Sequence, residues 1–101
     1  MDFGSVLHEL RLGAGVGIKR LAPQLGVSYT YLSKLEANRT QPSEDLVTRV
    51  ATYFGYDEDL LLLSANKIPQ DIRQILREHP DEAISFLRHR FGSNDVPRPE
   101  S

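Results

Sequence analysis

The chain has 101 residues, of which 40% are hydrophobic and 26% are charged. This is an ordinary globular composition, and the length allows one compact domain with a small extension. The chain contains no cysteine, which excludes disulfides, thiolate zinc sites and thiol nucleophiles. Its longest apolar block, Leu60 to Leu63, is too short to cross a membrane, and no signal pattern opens the chain. We therefore expect a cytoplasmic protein.

The net charge of −2 is unevenly distributed along the chain. Residues 1–43 carry five cations and three acids, whereas residues 44–66 carry one cation and five acids. Residues 67–101 carry six of each. The basic charge therefore lies in the first part of the chain, and the acidic total argues only against tight sequence-independent binding to DNA.

The first helix is predicted from Phe3 to Leu12, because apolar residues recur on one face of that segment. Gly13, Gly15 and Gly17 follow at alternate positions. Glycines so close together can indicate a phosphate-binding loop, but here no strand precedes them and no Gly-Lys-Ser/Thr ending follows. A loop that ends the helix is the favoured interpretation.

Two short helices joined by a tight turn are predicted between Gly17 and Glu36. The second helix runs from Ile18 to Leu25 and should be short or bent, because Pro23 lies inside it. Gly26 suits the left-handed residue that ends a helix, and Ser28 suits the N-cap of a third helix. This arrangement is a helix-turn-helix.

The third helix is predicted from Tyr29 to about Ala37, with Tyr31, Leu32 and Leu35 facing inward. Its outward face is rich in hydroxyl groups and carries one cation, which suits a DNA major groove. The residues that we expect to contact base edges are Tyr29, Thr30, Ser33 and Lys34. Tyr29 could instead lie along the DNA backbone, and solvated surface is the alternative for each residue alone.

Four further helices are predicted after residue 42, and no segment has a convincing strand pattern. Ser43 and Asp57 are predicted to cap the fourth and fifth helices, and the fifth should end near Asn66. Pro69 and Pro80 are placed to begin the sixth and seventh helices.

The chain therefore divides into three predicted regions. Residues 1–66 form the helix-turn-helix domain, residues 67–92 form a C-terminal helical extension, and residues 93–101 form a disordered tail.

These residues resemble the Xre family of helix-turn-helix regulators, which includes the phage lambda-type repressors and Cro proteins. The similarity covers residues 3 to about 63. It rests on these motifs: Leu10-Arg11, Leu21-Ala22, Leu25-Gly26-Val27-Ser28, Tyr31-Leu32-Ser33, Leu35-Glu36 and Pro42-Ser43. The resemblance implies an all-α, five-helix, lambda-repressor-like bundle whose third helix reads the major groove of near-palindromic DNA as a dimer. This chain departs from the family pattern at Ile18, Pro23 and Asn38, the last of which replaces a usual glycine.

The resemblance also implies an ion pair between Arg11 and Glu36 that joins the first and third helices. Two unrelated surface charges are the alternative. The candidates for phosphate contacts are polar or basic residues around the helix-turn-helix: Lys19, Arg20, Ser28, Asn38, Arg39, Thr40 and Gln41.

No catalytic or cofactor site is predicted. A metal cluster could be proposed from His79, Asp81, Glu82 and His89, but no pair of them has the i, i+4 spacing of a ligand face, and His79 precedes Pro80 at a helix break. No nucleophile, base and orienting group come together in the sequence. We therefore expect no enzyme, no cofactor and no metal site.

The C-terminal extension has apolar faces that a helical hairpin cannot cover by itself. A second copy is the expected partner, which would give a two-fold homodimer. The predicted dimer interface consists of Ile72, Ile75, Leu76, Ile84, Leu87 and Phe91. The alternative is that the hairpin folds back onto Leu60 to Leu63.

Two classes of function are consistent with this sequence. The first is a dimeric, sequence-specific repressor of its own or a neighbouring operon, bound to double-stranded DNA. The second is a protein that acts chiefly by binding a partner through its last two helices, as an antitoxin bound to a toxin would. Within this second class, the family resemblance also implies a repressor that a metallopeptidase would inactivate by cutting near the dimerisation region.

Overall fold

The structure is a computed structural model that describes residues 2–92. Within this range the chain forms seven α-helices and no strand, which confirms the all-helical prediction. The helices are α1 (Phe3–Ala14), α2 (Ile18–Leu25), α3 (Tyr29–Glu36), α4 (Glu44–Phe54), α5 (Glu58–Ser64), α6 (Gln70–Glu78) and α7 (Pro80–Phe91). The predicted disordered tail at residues 93–101 lies outside the described residues.

Local capping interactions begin three of the helices where the sequence predicts. Ser28, Ser43 and Asp57 each accept a hydrogen bond from the backbone N–H three residues later, at 3.1, 3.1 and 3.0 Å. Each bond satisfies an amide in the first turn that has no partner within the helix. The starts of α3, α4 and α5 are therefore determined by short-range chemistry, and these cap predictions are confirmed.

Three helix ends differ slightly from the prediction. The first helix continues to Ala14, because Gly13 remains helical and Gly15 takes the left-handed conformation, with φ of 67°, that ends it. The fifth helix ends at Ser64, before Asn66. The sixth begins at Gln70, one residue after the predicted Pro69.

The chain divides into two compact units, and the first ends at Pro69. In unit 1, α1 packs against α3, α4 and α5, and α2 packs against α3 and α4. The largest fully buried side chains are Leu7, Leu21, Leu25, Leu32, Leu35, Leu46, Leu61, Val47 and Val50. These side chains form one apolar core, which holds the α2–α3 pair in place.

Unit 1 extends three residues beyond the boundary predicted at residue 66. The N–H of Lys67 donates to the carbonyl of Leu62 at 2.9 Å, and Pro69 is buried. The connection after α5 is therefore bonded to unit 1, and the second unit begins at Gln70.

Unit 2 is a helical hairpin of α6 and α7, and neither helix has a buried residue. An apolar groove of about 510 Å³ runs along the hairpin. It is lined by Ile72, Ile75, Leu76, His79, Glu82, Ala83, Phe86 and Leu87. We call this feature the α6–α7 groove.

The groove differs from the predicted dimer interface on α7. Ile84 does not line it, but lies in a hollow on another side of α7 with Asp81 and Arg88. Phe91 is also absent from its lining, although it is exposed in the last turn. Phe86, which the prediction omitted, lines the groove instead.

Candidate nucleic-acid interface

The turn between α2 and α3 has the geometry that a helix-turn-helix needs. Gly26 has φ of 71°, in the left-handed region, and ends α2. The N–H of Val27 reaches back to the carbonyl of Ala22 at 3.0 Å. Because α3 starts at Tyr29, only three residues separate the two helices. The short turn restricts the direction in which α3 leaves α2.

The outward face of α3 carries the four side chains that we expect to contact bases. Thr30 and Lys34 are exposed, and Tyr29 is 51% exposed. Ser33 is only half-buried and lines a hollow shared with α1. At about 100° per residue, Thr30 lies opposite the buried leucines of the helix, with Ser33 and Lys34 on either side. Thr30, Ser33 and Lys34 therefore share one surface, and Tyr29 lies at its edge.

Arg11 and Glu36 form a two-pronged ion pair that joins α1 to the last residue of α3. Arg11 Nε lies 2.6 Å from Glu36 Oε2, and Arg11 Nη2 lies 3.0 Å from Glu36 Oε1. The two side chains are 12% and 9% exposed. Parallel N–H···O bonds of this kind restrict orientation as well as distance. The pair therefore holds the end of α3 in a defined position against α1.

Two further contacts extend this ion pair. Arg11 Nη1 donates to the carbonyl of Val16 at 3.2 Å, and His8 Nδ1 lies 2.9 Å from Glu36 Oε1. Burial would raise the pKa of Glu36, but the hydrogen bonds from Arg11 and His8 lower it below its usual value. The hydrogen bond to Glu36 raises the pKa of Arg11. Both groups are therefore held in their charged forms.

Asn38 has an intramolecular role that sequence reasoning missed. It has φ of 58°, and its Oδ1 accepts the Gly4 N–H at 3.1 Å. Its Nδ2 donates to Asp2 Oδ1 at 3.0 Å, and the same Asp2 oxygen caps α1 by accepting the Ser5 N–H at 2.9 Å. The Asn38 side chain thus joins the segment after α3 to the start of α1. Its amide group is therefore engaged within the protein, and its predicted phosphate contact stays a prediction.

Arg49 is a second residue that the sequence analysis left without a role. Its Nη1 donates to the carbonyl of Leu25, the last residue of α2. Its Nη2 pairs with Asp45 at 2.8 Å, one turn earlier on α4. Arg49 therefore satisfies a carbonyl that has no partner within α2 and joins α4 to the helix-turn-helix. The spacing of Asp45 and Arg49 was a sequence signal for the ion pair, but not for the contact with Leu25.

The start of α2 has features of an anion-binding surface. Gly17 is its N-cap and supplies no side-chain hydrogen bond to the first turn. Lys19 and Arg20 in that turn are exposed. Amides without side-chain partners, the positive end of the helix and two cations all favour a negatively charged ligand.

The remaining phosphate candidates lie just before and after α3. The Ser28 hydroxyl accepts the Tyr31 N–H, so it serves the helix as a cap. Arg39 and Gln41 are exposed, whereas Thr40 is half-buried. Arg39 is therefore the cation available in the segment that follows α3.

Within residues 2–92, no group of three or more histidines and carboxylates is arranged to hold a metal ion. In the same range, no helix has the length and apolar character needed to cross a membrane.

Comparison with known proteins gives a consistent result for unit 1. A family model described as a helix-turn-helix domain matches residues 2–63. A propionyl-CoA carboxylase regulator of Cereibacter sphaeroides is 37% identical over 76 residues, which cover 74% of this chain and 16% of that protein. An uncharacterized HTH-type transcriptional regulator of Mycobacterium tuberculosis is 31% identical over 73 residues, which cover 71% of this chain. The chain spans only 52% of the length of the mycobacterial protein.

A solved structure is similar over most of the chain. It is the crystal structure of the clp gene regulator ClgR from Corynebacterium glutamicum, with 25% sequence identity and a TM-score of 0.56. The similarity covers 90% of this chain and 92% of that one. Unlike the family model, which ends at residue 63, it extends into α6 and α7.

Proposed function

Because the chain belongs to the helix-turn-helix family of DNA-binding transcriptional regulators, we propose that it is a sequence-specific repressor that reads the major groove with α3. The observation that carries this proposal is the outward face of α3. Thr30, Ser33 and Lys34 share it, and none of them is buried. The helix is narrow enough to enter a major groove, where hydroxyl and ammonium groups can meet base edges.

The proposed interface separates base contacts from phosphate contacts. Lys34 is suited to guanine O6 and N7, and Thr30 to a thymine methyl group or a polar base edge. Lys19, Arg20 and Arg39 lie at the start of α2 and after α3, where phosphates would flank the inserted helix. Base contacts would determine sequence preference, whereas the cations would raise affinity for any duplex.

The rigid attachment of α3 supports specific reading. The Arg11–Glu36 ion pair and the hydrogen bonds of Asn38 connect the end of α3 and the segment after it to α1. Base contacts depend on an accurate position of the helix, so loss of either connection would lower sequence preference by changing geometry. Neither connection needs to touch DNA for this effect.

A homodimer is the proposed active form. Paired half-sites double the number of DNA contacts, and the exposed α6–α7 groove offers an apolar surface for association. Ile72, Ile75 and Leu87 would be covered in that dimer, together with Leu76 and Phe86. The dimer would bind a near-palindromic operator, and the regulated gene is its own or a neighbouring one.

The proposal is tested by fluorescence anisotropy with a duplex from upstream of the gene that encodes the protein. A random duplex of equal length is the control, and each duplex is titrated at two salt concentrations. We expect tight binding to the upstream duplex, weaker binding to the random one, and a steep fall of both affinities with salt. Two protein chains per duplex are expected at saturation.

A titration that shows no preference between the duplexes would contradict sequence-specific repression at this promoter. Binding to neither duplex would contradict the whole DNA-reading proposal. The exposed groove of unit 2 would then favour the other class of function, a protein that acts by binding a partner.

A further inference from the structure

One row of side chains on α7 combines an apolar centre with opposite charges at its two ends. Glu82, Phe86 and Arg90 are spaced four residues apart, so they form an oblique row along the helix. Glu82 and Phe86 line the α6–α7 groove, and Phe86 is 62% exposed. We call these three residues the α7 row.

The charges of α7 as a whole have the same polarity as this row. The acids of the first turn are Asp81 and Glu82, whereas the last turn carries Arg88, His89 and Arg90. Glu82 and Arg90 belong to the α7 row, whereas the other three line the hollow on another side of the helix. The acidic end of one such helix is therefore complementary to the basic end of an identical helix that runs in the opposite direction.

We propose that the α6–α7 groove is covered by a second copy of the chain whose α7 runs antiparallel, with the two-fold axis close to Phe86. Glu82 of each copy then faces the partner's Arg90. This inference rests on the homodimer of the proposed function. It adds the direction of the partner helix, the centre of the interface and one specific charge pair that occurs twice.

The spacing within the row fits a two-fold axis at Phe86. Glu82 and Arg90 lie four residues before and after it, about 6 Å along the helix axis on either side. A two-fold axis at Phe86 therefore brings each acid to the level of the partner's base. If the two helices cross so that their rows of i and i+4 side chains run side by side, the Glu82 end of one row lies next to the Arg90 end of the other.

The charge pattern favours a second copy of the chain over a partner of uniform charge as the occupant of the groove. A uniformly acidic or uniformly basic partner would meet repulsion at one end of α7. A second copy matches both ends, and its own apolar groove residues supply the central contact. The paired helices also place their opposite dipole ends side by side, which adds to the attraction.

A different explanation for the charges is that they stabilise α7 alone. Acids near the N-terminus and cations near the C-terminus of a helix both interact favourably with its dipole. This explanation predicts that reversing the charge of Glu82, of Arg90 or of both residues destabilises α7 in each case. The antiparallel dimer predicts that the exchange of both restores association, so the two explanations can be separated.

The experiment measures the dimer dissociation constant by sedimentation velocity for the full chain. The variants are Glu82→Arg, Arg90→Glu and the double variant that carries both changes. Each single change replaces two attractive pairs with two like-charge pairs per dimer, and we expect about tenfold weaker association. The double variant restores the attraction in reversed order and should return to within about threefold of the starting chain. Both side chains are exposed. Within its own copy Glu82 lies 3.7 Å from His79, and Arg90 lies over the Phe91 ring. Circular dichroism of each variant checks that the hairpin stays helical without these surface contacts.

Asp81→Arg is the matched control for the charge reversal. It makes the same change of charge one residue away, but Asp81 lines the hollow on another side of α7. We expect it to leave the dissociation constant within about threefold of the starting value. An effect as large as that of Glu82→Arg, or a double variant weaker than both single variants, would overturn the proposal.

A second measurement tests the position of the axis. The chain lacks cysteine, so a single introduced thiol has no other thiol in its own copy. Phe86→Cys should form disulfide-linked dimers under mild oxidation, because only a residue near the axis meets its own copy. Ser85→Cys, which faces the other hollow, is the control. Equal rates of cross-linking in the two variants would contradict an axis at Phe86.

The outcomes separate this inference from the function on which it rests. If the starting chain is dimeric and binds its operator, but the double variant does not regain the starting dissociation constant, only the antiparallel arrangement is refuted. A starting chain that stays monomeric at every concentration refutes the homodimer and this inference with it. DNA binding by that monomer would still support α3 as the reading helix.

Discussion

Unit 1 and unit 2 are both helical, but they differ in what they can bury. Every buried hydrophobic residue in the described chain belongs to unit 1, where five helices enclose a common core. Over its described residues 70–92, unit 2 has two helices and no buried residue, and its large apolar side chains remain accessible. Two helices can cover only the sides that face each other, whereas five can surround a shared interior.

This difference predicts different roles for the two units. Unit 1 has a packed core that holds α3, the proposed reading helix, in a defined position. In the proposed dimer, unit 2 would gain an apolar interior from its partner. We therefore expect substitutions in unit 1 to change folding or DNA contacts, and substitutions in the α6–α7 groove to change assembly.

The largest effect on stability is expected for Leu32→Ala in unit 1. Leu32 is fully buried, so its truncation removes apolar contacts and leaves a cavity, at a cost of about 3 kcal/mol in the free energy of unfolding. Urea denaturation followed by circular dichroism measures the change. Leu12→Ala is the control, since Leu12 is 59% exposed and its truncation should cost less than about 0.5 kcal/mol. Equal costs would contradict the division between core and surface.

Leu87→Glu in unit 2 should change assembly and leave the unfolding of unit 1 nearly unaltered. The new carboxylate would lie in the α6–α7 groove, where the dimer would bury it without a partner. We expect at least about hundredfold weaker association, which light scattering would report as a monomeric mass. Ser85→Glu, on the other side of α7, should retain the dimer. An unchanged mass for Leu87→Glu would refute the groove as the dimer interface.

Glu36→Gln should cost about 2 kcal/mol near neutral pH, because Arg11 loses its charged partner. The pKa of Glu36 is lowered by folding, so its ionised form stabilises the native state above its unfolded pKa of about 4.3. This contribution is lost as the pH falls through the lower, folded pKa.

The measurement for Glu36 is urea denaturation of both chains from pH 7 to pH 2. The difference between their free energies of unfolding should stay constant above about pH 5 and shrink below it. A difference that grows in acid would contradict the assignment. DNA binding by Glu36→Gln should weaken on the operator more than on random DNA, because the position of α3 changes.

The smallest effects are expected for single contacts to DNA. Lys34→Ala should weaken operator binding by about 1 kcal/mol and relax preference at one base pair, whereas Arg39→Ala should weaken all duplexes alike. Arg39→Ala should also reduce the slope of log affinity against log salt by about one. Anisotropy titrations on operator and random duplexes measure both quantities. Identical behaviour of the two variants would remove the distinction between base and phosphate contacts.

The sequence was sufficient for features that depend on neighbouring residues. Ser28, Ser43 and Asp57 begin their helices because each side chain reaches an amide only three residues away. Gly26 ends α2 because the left-handed conformation is easy for glycine. These interactions form within a single turn, so the order of residues alone is enough to predict them.

Contacts between distant segments could be predicted only where the family resemblance implied them. Arg11 and Glu36 are 25 positions apart, and their proximity was implied by the resemblance. His8, Asn38 and Arg49 make contacts over similar separations, but nothing in their local sequence indicated a partner. For Asn38 the sequence predicted only a possible phosphate contact, and the bonds of its amide group to the start of α1 appear only in the structure.

The helices of this protein, the caps at Ser28, Ser43 and Asp57 and the helix-turn-helix were determined by the sequence itself, since hydrophobic periodicity and capping act within one helix. The choice of the groove-lining face of α7 was decided only by the tertiary structure. Ile84 and Phe86 both belong to the apolar part of α7, and periodicity favours Ile84. Packing against α6 places Phe86 in the groove and Ile84 outside it. Apolar side chains lie over a wide part of the surface of α7, and the position of α6 decides which of them line the groove.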